Sequence, residues 1–174
     1  MGQTARQPVC VVPRVDPPEG WRPTNPFDEF PSAGLFISQD CSDGYFRVRY
    51  FKRDKDAALM ALAWFGPNTQ GPPEHAHGGS ISAVLDESLG AAAWLAGYRV
   101  VTMRLVTEFR KMIPLQTDTL VETKIERVDR RKVVVSGQIT DRKGQLFATG
   151  TGFFIRLDSL PTKDALGLLK KKKS

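Results

Sequence analysis

The stretch from Gly71 to Gly97, GPPEHAHGGSISAVLDESLGAAAWLAG, holds the only long helical pattern in a chain otherwise written in strands. Gly78, Gly79 and Ser80 open it, Ile81, Val84, Leu85, Ser88, Leu89 and Ala92 trace one face at i, i+3, i+4, i+7 spacing, and Gly97 stands at the expected stop. Small residues crowd its second half, where Gly90, Ala91, Ala92, Ala93 and Ala96 let another element approach closely. With Asp86 and Glu87 as its only charges, this is a helix to be wrapped on most sides. Both histidines of the chain, His75 and His77, stand at its entrance.

The wrapper is legible on either side. GLFISQD and DGYFRVRYF, joined at Cys41 to Gly44, predict a hairpin, because Phe46, Val48 and Tyr50 alternate with Arg47 and Arg49. The apolar run Ala57 to Phe65 is ambiguous by periodicity and is read as a strand because the turn-rich GPNTQGPP follows at once. Four long strands are predicted at Arg99 to Lys111, Asp118 to Asp129, Lys132 to Asp141 and Gln145 to Leu157. Their short connections predict antiparallel neighbours in chain order, and with no crossover helix between them a parallel sheet is excluded. The expected fold is α+β, a curved antiparallel sheet wrapped around one long central helix. Residues 1–33 hold seven of the twelve prolines and read as an irregular arm, 34–160 as the domain, and 161–174 as a basic tail.

Composition narrows the function. No apolar run approaches the roughly 20 residues of a membrane span, so no stable membrane insertion is expected. Of the net charge of +6, Lys170 to Lys173 supply four, leaving the body of the domain nearly balanced and giving no case for a nucleic-acid partner. The two cysteines, Cys10 and Cys41, have neither CxxC nor metal-ligand spacing, and no targeting signal is readable in MGQTARQPVCVVPRV; a cytoplasmic setting is expected.

Chemistry concentrates on the helix. Gly78 and Gly79 at its start leave backbone N–H groups unobstructed, with the positive end of the helix dipole behind them, which suits an oxyanion or a polarised carbonyl; a tight turn would use the same residues. Asp86 lies mid-helix, where propensity does not favour aspartate, so it is paired, solvated in a cleft, or working. Glu87, about 100° further round the helix, reads as an exposed residue. His75 and His77 lack the further ligands a metal would need, so no metal is expected, and turn-fixing or helix-capping is the alternative use for them. The chain has no GxSxG, Walker or GxGxxG motif. Trp64, Phe65, Trp94 and Tyr98 are candidates for core or for a pocket wall.

Gly71-Pro72-Pro73, then His77-Gly78-Gly79, six residues and Asp86, then a threonine sixteen residues on and the segment FRKMIPL, together resemble the hotdog-fold acyl-CoA thioesterases. The similarity is to the phenylacetate-pathway type and most closely to the thioesterase superfamily members of animal mitochondria, within the 4-hydroxybenzoyl-CoA thioesterase-like superfamily. It covers about Gly34 to Leu157 and implies the hotdog fold. It also implies hydrolysis of an acyl-CoA to free acid and coenzyme A, with no resident cofactor, coenzyme A entering as part of the substrate.

By position, the resemblance implies His77 and Gly78 as the pair whose glycine N–H polarises the thioester carbonyl, Asp86 as general base or nucleophile, and Thr102 as the residue that helps place the water. It implies Gly79, Arg110, Arg131 and Lys132 as substrate-binding positions, the basic ones near the coenzyme A phosphates. Glu108 departs from the pattern by putting a carboxylate beside that path. A homodimer or dimer of dimers with active sites at the dimer interface is implied. The alternatives are action on a carrier-protein thioester, dehydratase-type chemistry, or a noncatalytic acyl-binding hotdog.

Overall fold

The computed structural model describes residues 16–28, 36–37 and 44–157. Seven strands and one long helix follow in the order β1 (Trp21–Pro23), β2 (Phe46–Arg53), β3 (Leu59–Phe65), α1 (Gly78–Leu95), β4 (Val100–Phe109), β5 (Asp118–Val128), β6 (Lys132–Thr140) and β7 (Leu146–Arg156). They form one antiparallel sheet in the order β1-β2-β3-β5-β6-β7-β4, with α1 packed against β3 to β7. This is the expected α+β architecture of a helix wrapped by a curved sheet. Among the described residues no helix is long and apolar enough to cross a membrane.

The helix ends as its sequence dictates. Gly97 takes φ +84°, and the N–H groups of Gly97 and Tyr98 reach the carbonyls of Trp94 and Ala93, closing a Schellman cap that satisfies the last turn. Val84, Leu85 and Leu89 are fully buried, and so is Ala91 at 0% exposure; with Ala92 and Ala93 buried beside it, the second half of the helix is enclosed on several sides. Leu85 and Leu89 seat into gaps left by glycines. A Cβ on Gly150 would stand 3.2 Å from Leu85, and one on Gly137 would stand 2.8 Å from Leu89 and 2.9 Å from the Glu122 carbonyl. Burying each of these leucines is worth roughly 1.5–3 kcal/mol, which the glycines make available by letting the sheet come close.

Every residue of β3 is buried, which is why the Leu59–Phe65 run lacks alternation. Its inner face, Leu59, Ala61, Ala63 and Phe65, joins the main core under α1, while Met60 and Leu62 pack with Phe51 in a second cluster on the outer face. Trp21 adds to that outer cluster, its ring centroid 6.0 Å from that of Phe51. An ion pair between Arg47 and Asp118, 3.0 Å apart and nearly buried, bridges β2 and β5 across Trp64, with which both are in register.

Two expectations are corrected. The Pro-rich arm is not wholly irregular, since Trp21–Pro23 pairs with Phe51–Arg53 as β1 at the sheet edge, where a proline is tolerated because its missing N–H need not enter a ladder. Further, β4 does not neighbour β5; it pairs with β7 at the far edge, because closing the sheet around the helix places the strand that leaves α1 on the opposite side from β3. Of the predicted GLFISQD strand, only Phe36 and Ile37 are described, and they form a bend. Cys10, Cys41 and the 161–174 tail lie outside the described residues.

The glycine seats give a direct test. Gly137→Ala is expected to destabilise the domain by about 1–3 kcal/mol through overpacking against Leu89 and the Glu122 carbonyl. Ser136→Ala on the neighbouring outer-face position is expected to be nearly neutral by comparison, both read from urea or thermal unfolding.

Candidate active site

At the mouth of α1, His77 is the N-cap. Its Nδ1 accepts the Gly79 N–H at 2.9 Å, which places the neutral imidazole's proton on Nε2, and its own N–H donates to the Thr69 carbonyl at 2.8 Å. His75 Nδ1 donates to the Pro73 carbonyl at 2.8 Å, fixing the preceding turn. Of the two glycine N–H groups at the helix start, that of Gly79 is therefore taken by His77. The N–H of Gly78 has no acceptor among the described residues and carries the helix dipole behind it. The Phe109 ring lies 3.3 Å from where a Cβ on Gly78 would stand, so a side chain here would press on that ring and narrow the approach to the N–H.

Two turns further along, the Thr102 hydroxyl donates to Asp86 Oδ1 at 2.9 Å. A bulge in β4 makes this contact. The β4–β7 register runs from Thr102 opposite Phe154 to Arg104 opposite Phe153, leaving Met103 as an extra residue. A bulge shifts the alternation by one, so Thr102 joins Leu105 and Thr107 on the face toward α1 instead of pointing away from Asp86. Thr107 Oγ1 meets the Ser82 hydroxyl at 3.4 Å, a second polar contact between helix and strand.

The sequence-derived site residues thus fall into two groups. His77, Gly78 and Gly79 share one end with Phe109 and Arg110, whereas Asp86 and Thr102 lie some 12 Å along the helix at 1.5 Å per residue. Arg131 and Lys132 occupy the β5–β6 turn at the Thr102 end, where their N–H groups donate to Asp129 Oδ1 at 3.0 and 2.7 Å. Lys132 is opposite Ile155, which is opposite Val101. Arg110 is paired with Glu108 at 2.7 Å, and Glu108 also accepts from Thr149 at 3.2 Å. Along β4, a sheet-edge strand, Val101, Met103 and Phe109 are exposed by 40%, 49% and 54%, an apolar edge unusual for an isolated surface.

Glu87 corrects its sequence reading. It is partly buried, accepting the Ile37 N–H at 3.0 Å and the Tyr50 hydroxyl at 3.3 Å, and burial pushes its carboxyl above the ordinary 4.5 against the opposing effect of these bonds. Burial, reinforced by the charge of Glu87, likewise pushes the Tyr50 hydroxyl up. The signal was available in its helical neighbours, since Ser80, Ala83, Val84 and Ala91 at i−7, i−4, i−3 and i+4 make a stripe too small and apolar for a solvated face. Trp64 and Phe65 are core, and Trp94 donates Nε1–H to the Val100 carbonyl at 3.2 Å.

Residues 74–148 match the family model described as Thioesterase superfamily. The acyl-coenzyme A thioesterase THEM4 of Xenopus laevis is 31% identical over 71% of this chain and 56% of its own length, and the human acyl-coenzyme A thioesterase THEM5 is 31% identical over 72% and 56%. The chain therefore spans little more than half the length of these curated relatives. A crystal structure of a thioesterase superfamily protein, 31% identical, superposes with a TM-score of 0.58 over 63% of this chain and 53% of the other. A Streptococcus mutans protein bound to acetyl-CoA shares the fold at a TM-score of 0.61 over 74% and 96%, with 18% identity. The chain is thus similar to the thioesterase superfamily over residues 74–148 and has the hotdog fold.

The raised carboxyl of Glu87 has a signed consequence. A folded-state value above the unfolded one means the folded protein holds this proton more tightly, so stability from this group is fullest below pH 4.5 and is lost as pH rises through the folded value. Glu87→Gln removes that loss. Urea unfolding at pH 4 and pH 7 is expected to show the variant gaining on the wild type at the higher pH, and an unchanged difference would contradict the assignment.

Proposed function

We propose that this chain is a thioester hydrolase that cleaves an acyl-CoA to the free acid and coenzyme A, using a site shared between two subunits. The observation that carries the reading is the Thr102-held Asp86 carboxylate on the same helix whose start presents the unblocked Gly78 N–H. At some 12 Å apart, the two cannot reach one thioester within a single chain.

A second copy supplies the missing half. Two β4 edges related by a two-fold axis meet antiparallel, so the Thr102 end of one strand faces the Phe109 end of the other. That arrangement covers Val101, Met103 and Phe109 and brings the partner subunit's Asp86 toward Gly78. It also draws Arg110 of one subunit toward Arg131 and Lys132 of the other, a set of cations suited to the phosphates of coenzyme A.

In the reaction, Asp86 takes a proton from water as the water oxygen bonds to the thioester carbon. The carbonyl oxygen becomes an oxyanion held by the Gly78 N–H, an interaction typically worth about 3–4 kcal/mol. Collapse re-forms the carbonyl, breaks the C–S bond and releases coenzyme A as its thiolate, which is then protonated. By occupying Oδ1, the Thr102 hydroxyl leaves Oδ2 for the water and fixes the plane of the carboxylate. His77, by capping Gly79, holds the first turn so that the Gly78 N–H stays aimed outward. The curated relatives named as acyl-coenzyme A thioesterases support the choice of substrate, and a cytoplasmic setting is retained as part of the proposal.

Thiol release from a panel of acyl-CoA esters tests the assignment. Asp86→Asn is expected to lower kcat by about 10²–10⁴ while the circular dichroism spectrum is unchanged, and undiminished turnover would sink the reading. Thr102→Val is expected to lower kcat with little change in KM, since it orients the base and does not hold the substrate. Thioester binding without thiol release over hours would favour the noncatalytic alternative.

A further inference from the structure

A cavity of about 370 Å³ opens beside the helix mouth, within the size range of small-ligand sites. His77, Gly79 and Ala83 form its helix side, and Phe36, Tyr45 and Phe46 face them. Phe46 is braced on the core by an edge-on contact with Phe65, ring centroids 6.3 Å apart, and Tyr45 lies 6.4 Å from Phe46. Phe36 is different, being 82% exposed, while the next residue, Ile37, is buried at 1%. What ties this two-residue bend to the helix is the Ile37 N–H donating to Glu87 Oε2 at 3.0 Å, and the Tyr50 hydroxyl on β2, donating to Oε1 at 3.3 Å, holds the same carboxylate from the other side.

From these contacts we infer that Phe36 is a specificity-determining wall for the apolar part of the acyl group, and that Glu87 is the positioning residue that holds this wall in place. The inference rests on the hydrolase reading for the identity of the occupant. A carboxylate drawn out of water at a cost is a poor choice for merely filling space, but it grips an amide N–H and a phenol hydroxyl at once, which an aliphatic side chain cannot. An exposed phenylalanine beside the carbonyl-polarising turn is surface that an apolar substituent would cover. An acetyl group, with two carbons, would leave most of the cavity to water and gain little from the wall, whereas a larger acyl group would lie against it. Glu87 and Asp86 thus divide the helix, one facing the bend that sizes the acyl group and the other facing β4 and the reaction.

The experiment separates the pocket from the chemistry by using two non-hydrolysable thioethers, S-methyl-CoA and S-(2-phenylethyl)-CoA, with binding measured by calorimetry on the full chain. Phe36→Ala and Glu87→Ala are expected to weaken the phenylethyl compound about tenfold and leave the methyl compound unchanged. Glu87→Gln keeps an oxygen acceptor and is expected to stay within about twofold of wild type for both. Because Phe36 is exposed, its variant reports even where Glu87→Ala fails to fold. Equal weakening of both thioethers by Phe36→Ala, no change in either, or no binding of either to the wild type would overturn the inference. Thiol release from acetyl-CoA and phenylacetyl-CoA is followed in parallel. A wild type that shows the size-dependent binding but cleaves neither ester would remove the hydrolase reading and leave the pocket. One that cleaves both, with size preference untouched by Phe36→Ala, would do the reverse.

Discussion

The seating of Leu85 and Leu89 in the gaps above Gly137 and Gly150 is the contact on which the rest of the molecule depends. It sets how near the helix lies to the sheet, and that distance in turn decides which side chains on β4 can touch α1. Thr102 meets Asp86 and Thr107 meets Ser82 across a gap narrowed by leucines that find no Cβ in their way. The usual division between a hydrophobic core that stabilises and a polar site that acts is therefore weak here. One helix supplies buried leucines on one side, a capped N-terminus at its end, and two carboxylates on its remaining faces.

The neighbouring carboxylates show how much a turn of 100° can change. Asp86 projects toward the edge strand β4, and its bond is to a hydroxyl that orients it. Glu87 projects toward β2 and the Phe36–Ile37 bend, where it is half-withdrawn from water and bonded to a backbone amide and a phenol. The same functional group, in consecutive residues of one helix, is left open to solvent chemistry in one case and committed to architecture in the other.

Much of this was legible from residues alone. The helix and the four long strands lie within a residue or two of their predicted bounds, because alternation, flanking turn residues and the Gly97 stop all pointed the same way. What escaped was non-local. Adjacency in sequence put β4 beside β5, whereas the demand that a sheet close around a helix put it beside β7. Prolines concealed β1, which exists because Trp21 covers Phe51 on the outer face and an edge strand can forgo an N–H. Glu87 was misread because charge suggested solvent, although the small neighbours on its stripe argued otherwise. The pairing of Asp86 with Thr102 had no local signature: its sixteen-residue spacing came from a resemblance, and its geometry from a bulge.

That bulge carries a consequence for how the site can vary. Thr102 faces the helix because Met103 adds one residue to β4 and shifts the parity of everything before it. The identity of Met103 is immaterial to this; its existence is what counts. The orientation of the threonine is thus encoded as a number of residues and not as a chemical preference. Substitutions can drift along this strand while the arrangement persists, but a change in its length by one residue would turn the site inside out, so this part of the protein is constrained in count more tightly than in composition.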